Sequence, residues 1–239
     1  MYDLNLIYPY YKNPMMLLEQ CRRWVLWPQE LKRRVRIVIV DDGTPDDQCV
    51  NTIMEHQEHL PDVKVYKVLK NIPWNQNGAR NLAMEAVDGW CLITDMDHVL
   101  LWPMAGRIIT MDKNKDFVYR PARRQVRDMG DRNYKRHPNS WIMTADRYWY
   151  AGGMDEDFCG WYGSDSTFRK AIELNGPIKE IEEYLVVYDE EDIDDANTRD
   201  LGRKHTEYYS VNNPKLQAKR RSPGYKAENP IRFPWRRVL

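Results

Sequence analysis

VRIVIVDDGTPDDQCVNTIMEHQEHLPDVKVYKVL, residues 35–69, decides how this chain folds. Its first six residues, VRIVIV (35–40), form an almost unbroken apolar run, the pattern of a buried strand. TPDDQCVNTIMEHQEHL (44–60) then reads as a helix with Thr44 as its N-cap and Pro45 at its first position. VKVYKVL (63–69) returns to strand. A strand, a helix and a second apolar strand in this order make the crossover unit of a parallel sheet.

The alternation extends in both directions. LNLIY (4–8) reads as a strand and PMMLLEQCRRWVLW (14–27) as a helix opened by its proline. GARNLAMEAV (78–87) is a helix and WCLIT (90–94) a fourth strand. This predicts an α/β fold, a mostly parallel central sheet flanked by helices, with ligands in the crevice beyond the strand carboxyl ends. After Trp102 the pattern loosens into a helix at 104–112, strands at 116–126 and 140–145, a helix at 165–176 stopped by Gly176 and Pro177, and a strand at 178–189. The expected organisation is one domain over 1–214, with a nucleotide-binding half at 1–102, an acceptor-binding half at 103–214 and a basic tail at 215–239.

With 239 residues and 42% hydrophobic content the chain can bury a sizeable core. Lys+Arg and Asp+Glu are both 36, so no global field advertises a nucleic-acid or membrane partner. The last 25 residues differ, holding eight lysines and arginines against one acid, Glu228. The four cysteines stand singly, without the paired spacing of a zinc site or the density of a disulfide scaffold, as expected of a reduced cytoplasmic protein. No segment approaches the ~18 apolar residues of a membrane span, so the chain as given is expected to be soluble.

Polar residues concentrate where strands end. The second strand closes in VDDGT (40–44), with Asp41 and Asp42 before a glycine turn, and the fourth in TDMDH (94–98). Asp95 and Asp97 lie two residues apart, so on an extended backbone both carboxylates project to one side. Such hard oxygen ligands select Mg²⁺ or Mn²⁺ and leave coordination positions for phosphate oxygens.

YPYYKNP, IVIVDDGTPDD, NGARNLAMEA, ITDMDHVL and GGMDEDFCGWYGSDSTFRKAIELNG, in that order, resemble the signature series of GT-A-fold glycosyltransferases of the family 2 type. The last of them resembles the acceptor region of β-1,4-galactosyltransferases. The resemblance spans residues 2–215.

It implies a metal-dependent glycosyltransferase that moves a hexose or pentose from a nucleoside diphosphate sugar to a glycan, glycoconjugate or other hydroxyl acceptor, with inversion. Pro9 and Tyr10 would line the base pocket, and Asp42 or Asp41 would accept hydrogen bonds from base or ribose. Arg80 would reach base or diphosphate. Asp95 would bind ribose or metal, and Asp97 the divalent ion of the DxD motif, Mn²⁺ or Mg²⁺. His205 would be a further metal ligand, which favours Mn²⁺; His98, next to Asp97, is a weaker candidate.

Asp165 falls where the family keeps its general base, a role compatible with capping the helix that follows. Gly152 and Gly153 would allow a tight turn, Trp161 would stack on a sugar, and Ser164 stands where the family commonly has Glu, which puts the acceptor in question. The run DEEDIDD (189–195) is expected to be a solvated hinge, and 119–138 an exposed loop whose arginines 120, 123, 124 and 127 have the option of a diphosphate or an anionic acceptor.

Two rivals bear on this reading. A nucleotidyltransferase would need a glycine-rich phosphate loop after the first strand, and YPYYKNP has no glycine. A nucleic-acid-binding protein, or a transferase acting on a modified nucleic acid base, would dock through the basic tail.

Overall fold

The computed structural model describes residues 2–131, 134–161, 165–196, 213–223, 225, 227–228 and 230–239. The first four strands and the three crossovers that join them run in the order read from the sequence. Strand β1 (Leu4–Tyr10) leads to α1 (Pro14–Val25) and the short α2 (Gln29–Lys32); β2 (Val35–Asp41) leads to α3 (Gln48–His56); β3 (Asp62–Val68) leads to α4 (Gln76–Glu85) and β4 (Trp90–Ile93). β5 (His98–Val99), α5 (Trp102–Thr110), β6 (Val118–Gln125), β7 (Trp141–Thr144) and α6 (Ala145–Tyr150) follow. The chain closes with α7 (Asp165–Asn175), β8 (Ile178–Val187), α8 (Pro214–Arg221) and β9 (Trp235–Arg237).

Among the described residues the strands form one sheet in the order β5-β8-β6-β7-β4-β1-β2-β3-β9. β4, β1, β2 and β3 are parallel, while β7 and β9 run antiparallel to β4 and β3. Both expected halves therefore share one sheet. Alternation along β1 and β2 explains their mostly apolar sequence: Leu4, Leu6, Tyr8, Val35, Ile37 and Ile39 enter one core layer, and Ile7, Val38 and Val40 the other. α1 (Met16, Leu17, Cys21, Trp24) and α3 (Cys49, Ile53) cover the first layer; α4 (Ala79, Leu82, Ala83) and α7 (Phe168, Ile172) cover the second.

Two local expectations are corrected. The helix expected from Thr44 begins at Gln48, because Thr44 is buried in a turn: its N–H donates to Asp41 Oδ1 at 2.8 Å and its hydroxyl accepts from Lys12 N at 3.4 Å. Described residues of the segment set apart as a tail are folded into the domain. β9 extends the sheet, Phe233 enters the core, and Lys219 and Arg232 pair with Asp155, Glu156 and Asp157. Gly78 makes this possible, since a Cβ there would lie 2.4 Å from Phe233 Cε1 and 2.3 Å from Asn75 Oδ1. No helix among the described residues is long and apolar enough to cross a membrane.

Candidate functional site

A cavity of about 570 Å³ opens at the carboxyl ends of β1, β2 and β4, where an α/β sheet of this order places its ligands. Its lining combines Pro9, Tyr10 and Asp42 with Asp95, Asp97 and Asp165, residues scattered over more than 150 positions of sequence.

The Asp95–Asp97 turn is fixed through its backbone. Gln20, buried on α1, donates to Met96 O at 2.8 Å and His98 O at 3.0 Å, and Tyr188 N–H donates to Asp97 O at 3.0 Å. The two carboxylates then have different surroundings. Asp95 Oδ1 accepts from Arg80, which is wholly buried, and Oδ2 accepts from Asn139 at 3.4 Å. Burial opposes ionisation of Asp95, but the Arg80 guanidinium outweighs it and holds its pKa well below the usual carboxylate range. Asp97 Oδ1 accepts from His98 Nδ1 at 2.6 Å, and its Oδ2 enters no hydrogen bond among the described residues.

Arg80 is not part of the cavity lining. It stands behind Asp95 as its counter-ion, where the expectation had it reach base or diphosphate. Asp41 likewise turns away, to Thr44 N and, at 4.0 Å, Lys67 Nζ. Asp42 remains in the lining, buried, accepting from Asn75 Nδ2 at 2.8 Å. Burial pushes its pKa well up, more than Asn75 and Arg80 restore. Tyr10 lies beside it, with a buried hydroxyl that has no hydrogen-bond partner among the described residues.

Asp165 opens α7, where the helix N-terminus favours its anion. Burial and the charge of Asp95 nevertheless raise its pKa, while Arg80 and Asn139 act the other way. Asn139 thus bridges Asp95 and Asp165.

Sequence reasoning did not find Asn139, His137, Asn75 or Trp74. His137 stacks on His98 with ring centroids 4.5 Å apart, and burial pushes its pKa down to about 3. Its Nδ1 accepts from Asn139 N–H at 3.3 Å, so the 3.5 Å approach to Asp95 is that of a neutral ring. Trp74 lines the cavity at φ 48°, a left-handed conformation unusual for a bulky residue. NQNGARN and HPNS were the available signals, being polar runs without helix-face spacing, but their partners lie far away in sequence.

The acceptor-side residues are only partly in view. Gly153 adopts φ +71°, and a Cβ there would lie 2.9 Å from Trp149, so the tight turn expected at Gly152 and Gly153 is present. Neither Gly153 nor Trp161 belongs to the described cavity lining. Ser164 and His205 lie outside the described residues. The acidic run is largely solvated, as expected, and it is also tied down: Asp189, Glu191 and Asp192 clasp Arg127, and Asp195 caps α1 through Met15 N at 2.7 Å and Met16 N at 2.8 Å.

Among the described residues no group of three or more acidic, histidine or cysteine side chains could hold a metal ion. This donor set still fits Mg²⁺ or Mn²⁺, which bind nucleotide substrates through one or two carboxylates with phosphate oxygens and water completing the shell. Asp97, which lines the cavity and whose Oδ2 enters no hydrogen bond among the described residues, is the residue that would hold it. Asp95 is already engaged.

No protein-family model matches the chain, and no curated protein sequence matches it. Among solved structures it is similar to TarS 1–349 of S. aureus, with TM-score 0.59 and 19% identity over 82% of this chain and 63% of that one. It is similar as well to the mannosyltransferase PcManGT from Pyrobaculum calidifontis, with TM-score 0.58 and 13% identity over 77% and 56%. TarS 1–349 was solved with UDP and with UDP-GlcNAc, and PcManGT with GDP-Man and Mn²⁺. The chain spans less than two thirds of the length of either. The GT-A-type α/β fold that the sequence resemblance implies is the fold of this chain.

Proposed function

We propose that the chain is a metal-dependent glycosyltransferase, transferring a hexosyl or pentosyl group from a nucleoside diphosphate sugar to a hydroxyl acceptor with inversion. The observation that carries this reading is the convergence of Asp42, Asp97 and Asp165 on one cavity at the carboxyl end of a GT-A-type sheet.

The nucleoside lies against Pro9, Tyr10 and Asp42. Asp97 would hold a divalent ion, Mn²⁺ or Mg²⁺, which when bound would supply Lewis-acid relief of charge on the leaving diphosphate. Asp165 accepts the proton of the acceptor hydroxyl as its oxygen bonds to the sugar anomeric carbon. The bond from that carbon to the diphosphate oxygen breaks, and its electron pair leaves with the nucleoside diphosphate. Attack from the face opposite the leaving group inverts the anomeric centre. Arg80 and Asn139 hold Asp95, and through it the shape of the turn that carries Asp97. The raised pKa of Asp165 suits a base that must take a proton near neutral pH. The four free cysteines support a reducing, cytoplasmic setting.

Two of the eight basic residues behind the nucleic-acid alternative, Lys219 and Arg232, are engaged by Asp155, Glu156 and Asp157, which takes part of that charge away from a polyanion.

A thermal-shift screen of UDP-, GDP- and dTDP-sugars with Mn²⁺ tests the reading. At a hundredfold excess over Kd the right donor stabilises the fold by about 2.7 kcal/mol and raises Tm by roughly 5–10 °C. Absence of a shift with every donor would remove the basis for the proposal.

A further inference from the structure

Arg123 is the single lysine or arginine among the described cavity-lining residues, facing Asp42, Asp95, Asp97, Asp165 and Asp189. Asp95 is matched by Arg80 and Asp189 by Arg127. Arg123 forms no ion pair among the described residues, although burial disfavours its charge. A guanidinium cannot escape that cost by losing its proton, so it calls for an anion.

Its geometry is prepared for one. The Nε donates to Lys135 O at 2.5 Å, Nη1 lies 3.4 Å from His98 Nε2, and the Tyr134 ring centroid sits 4.6 Å from Cζ. With Nδ1–H of His98 directed to Asp97, Nε2 is the acceptor, so Arg123, His98 and Asp97 form one chain of hydrogen bonds. The ring contact occupies a face of the guanidinium and leaves its in-plane donors for oxygens. Nη2 makes no hydrogen bond among the described residues.

We infer that Arg123 binds the diphosphate of the donor, its Nη donors taking phosphoryl oxygens beside Asp97. The inference rests on the nucleotide-sugar reading of the cavity and adds to it a residue that carries leaving-group charge. Both phosphoryl groups of the donor are anionic. When the sugar carbon–oxygen bond breaks, the electron pair adds a further negative charge to the distal phosphoryl group, and Arg123 offsets it without any proton transfer.

The test is isothermal titration of the full chain in EDTA at low ionic strength, comparing wild type, Arg123→Gln and Arg123→Lys. The probes are inorganic pyrophosphate, UDP, GDP, uridine and guanosine. Arg123→Gln is expected to lower pyrophosphate affinity about ten- to a hundredfold and leave nucleoside affinity unchanged, with Arg123→Lys recovering part of the loss. If the Gln variant melts early, the Lys variant decides: it loses part of the pyrophosphate affinity and none of the nucleoside affinity. Equal pyrophosphate affinity in wild type and variants, no pyrophosphate binding by wild type, or an equal loss for nucleosides overturns the inference. Arg123-dependent pyrophosphate binding with no affinity for UDP or GDP would instead keep the anion site and refute the donor reading.

Discussion

Arg80 and Asp95 form an ion pair of unequal exposure: the guanidinium is wholly buried, while the carboxylate side chain is 24% exposed. Removing either partner strands the other, but the two losses differ. Asp95→Asn leaves a charge in the interior with no route to water, and is expected to cost about 3–5 kcal/mol. Arg80→Met leaves a carboxylate that the open cavity can hydrate, so its cost is smaller. Urea denaturation of both variants measures the difference, and an equal or reversed order would mean that the pair is not what anchors this turn.

Asp165→Asn separates chemistry from binding. Donor affinity is expected to stay at the wild-type level while transfer falls about 10²- to 10⁴-fold, as loss of a general base does. A variant that transfers sugar at close to the normal rate would reassign the base.

The pH profile carries the same signature. Asp165 works only when ionised, so kcat/KM falls as pH drops through its pKa. Burial and Asp95 raise that pKa, placing the acid limb above the ordinary aspartate value of about 3.9. Steady-state rates between pH 4 and 8 locate the limb. One at or below the ordinary value contradicts the assignment.

Asp42 predicts a trade of stability for binding. Its native pKa is raised, so as pH climbs from the unfolded value towards the native one, the unfolded chain has lost a proton that the native state keeps. Stability therefore falls with rising pH across that window. Asp42→Asn keeps an oxygen to accept from Asn75 and removes the slope. It is expected to be more stable than wild type near pH 8, by on the order of 1 kcal/mol, and little different below the unfolded pKa, while binding nucleoside more weakly. Denaturation curves at pH 3.5 and 8 that differ equally from wild type would show that the buried charge is not responsible.

The parallel part of the fold was legible because strands such as 35–41 bury both faces and leave an almost unbroken apolar run, whereas the C-terminal strand was not. Trp235–Arg237 is exposed along its length and joins the sheet through backbone hydrogen bonds to β3, which leave no trace in hydrophobic pattern. Strand-tip carboxylates were legible for a related reason, as acids that end an apolar run. Their partners were not: Asp42 and Asn75 are 33 residues apart, and Asp95 and Asn139 44. Arg80 could be read as a site residue from its motif, but only the fold shows that it stands behind Asp95 and outside the cavity.

The basic C-terminal segment gives a related prediction. Deleting residues 222–239 removes β9, Phe233 and the backbone donors of Ile231 and Arg232 to Glu156. It is expected to destabilise the whole domain, since truncating a buried Phe alone costs about 3–5 kcal/mol. An unchanged melting temperature would restore the segment to the status of a detachable arm.

The central claim is that a nucleoside diphosphate leaves from this cavity with help from Asp97. It is tested most directly by ³¹P NMR of UDP-, GDP- and dTDP-sugars incubated over long times with the protein, Mn²⁺ and a panel of simple hydroxyl acceptors, with water as the acceptor of last resort. Release of one nucleoside diphosphate by wild type, and none by Asp97→Ala, is the predicted result. Failure to release any of them, or equal release by the variant, would contradict it.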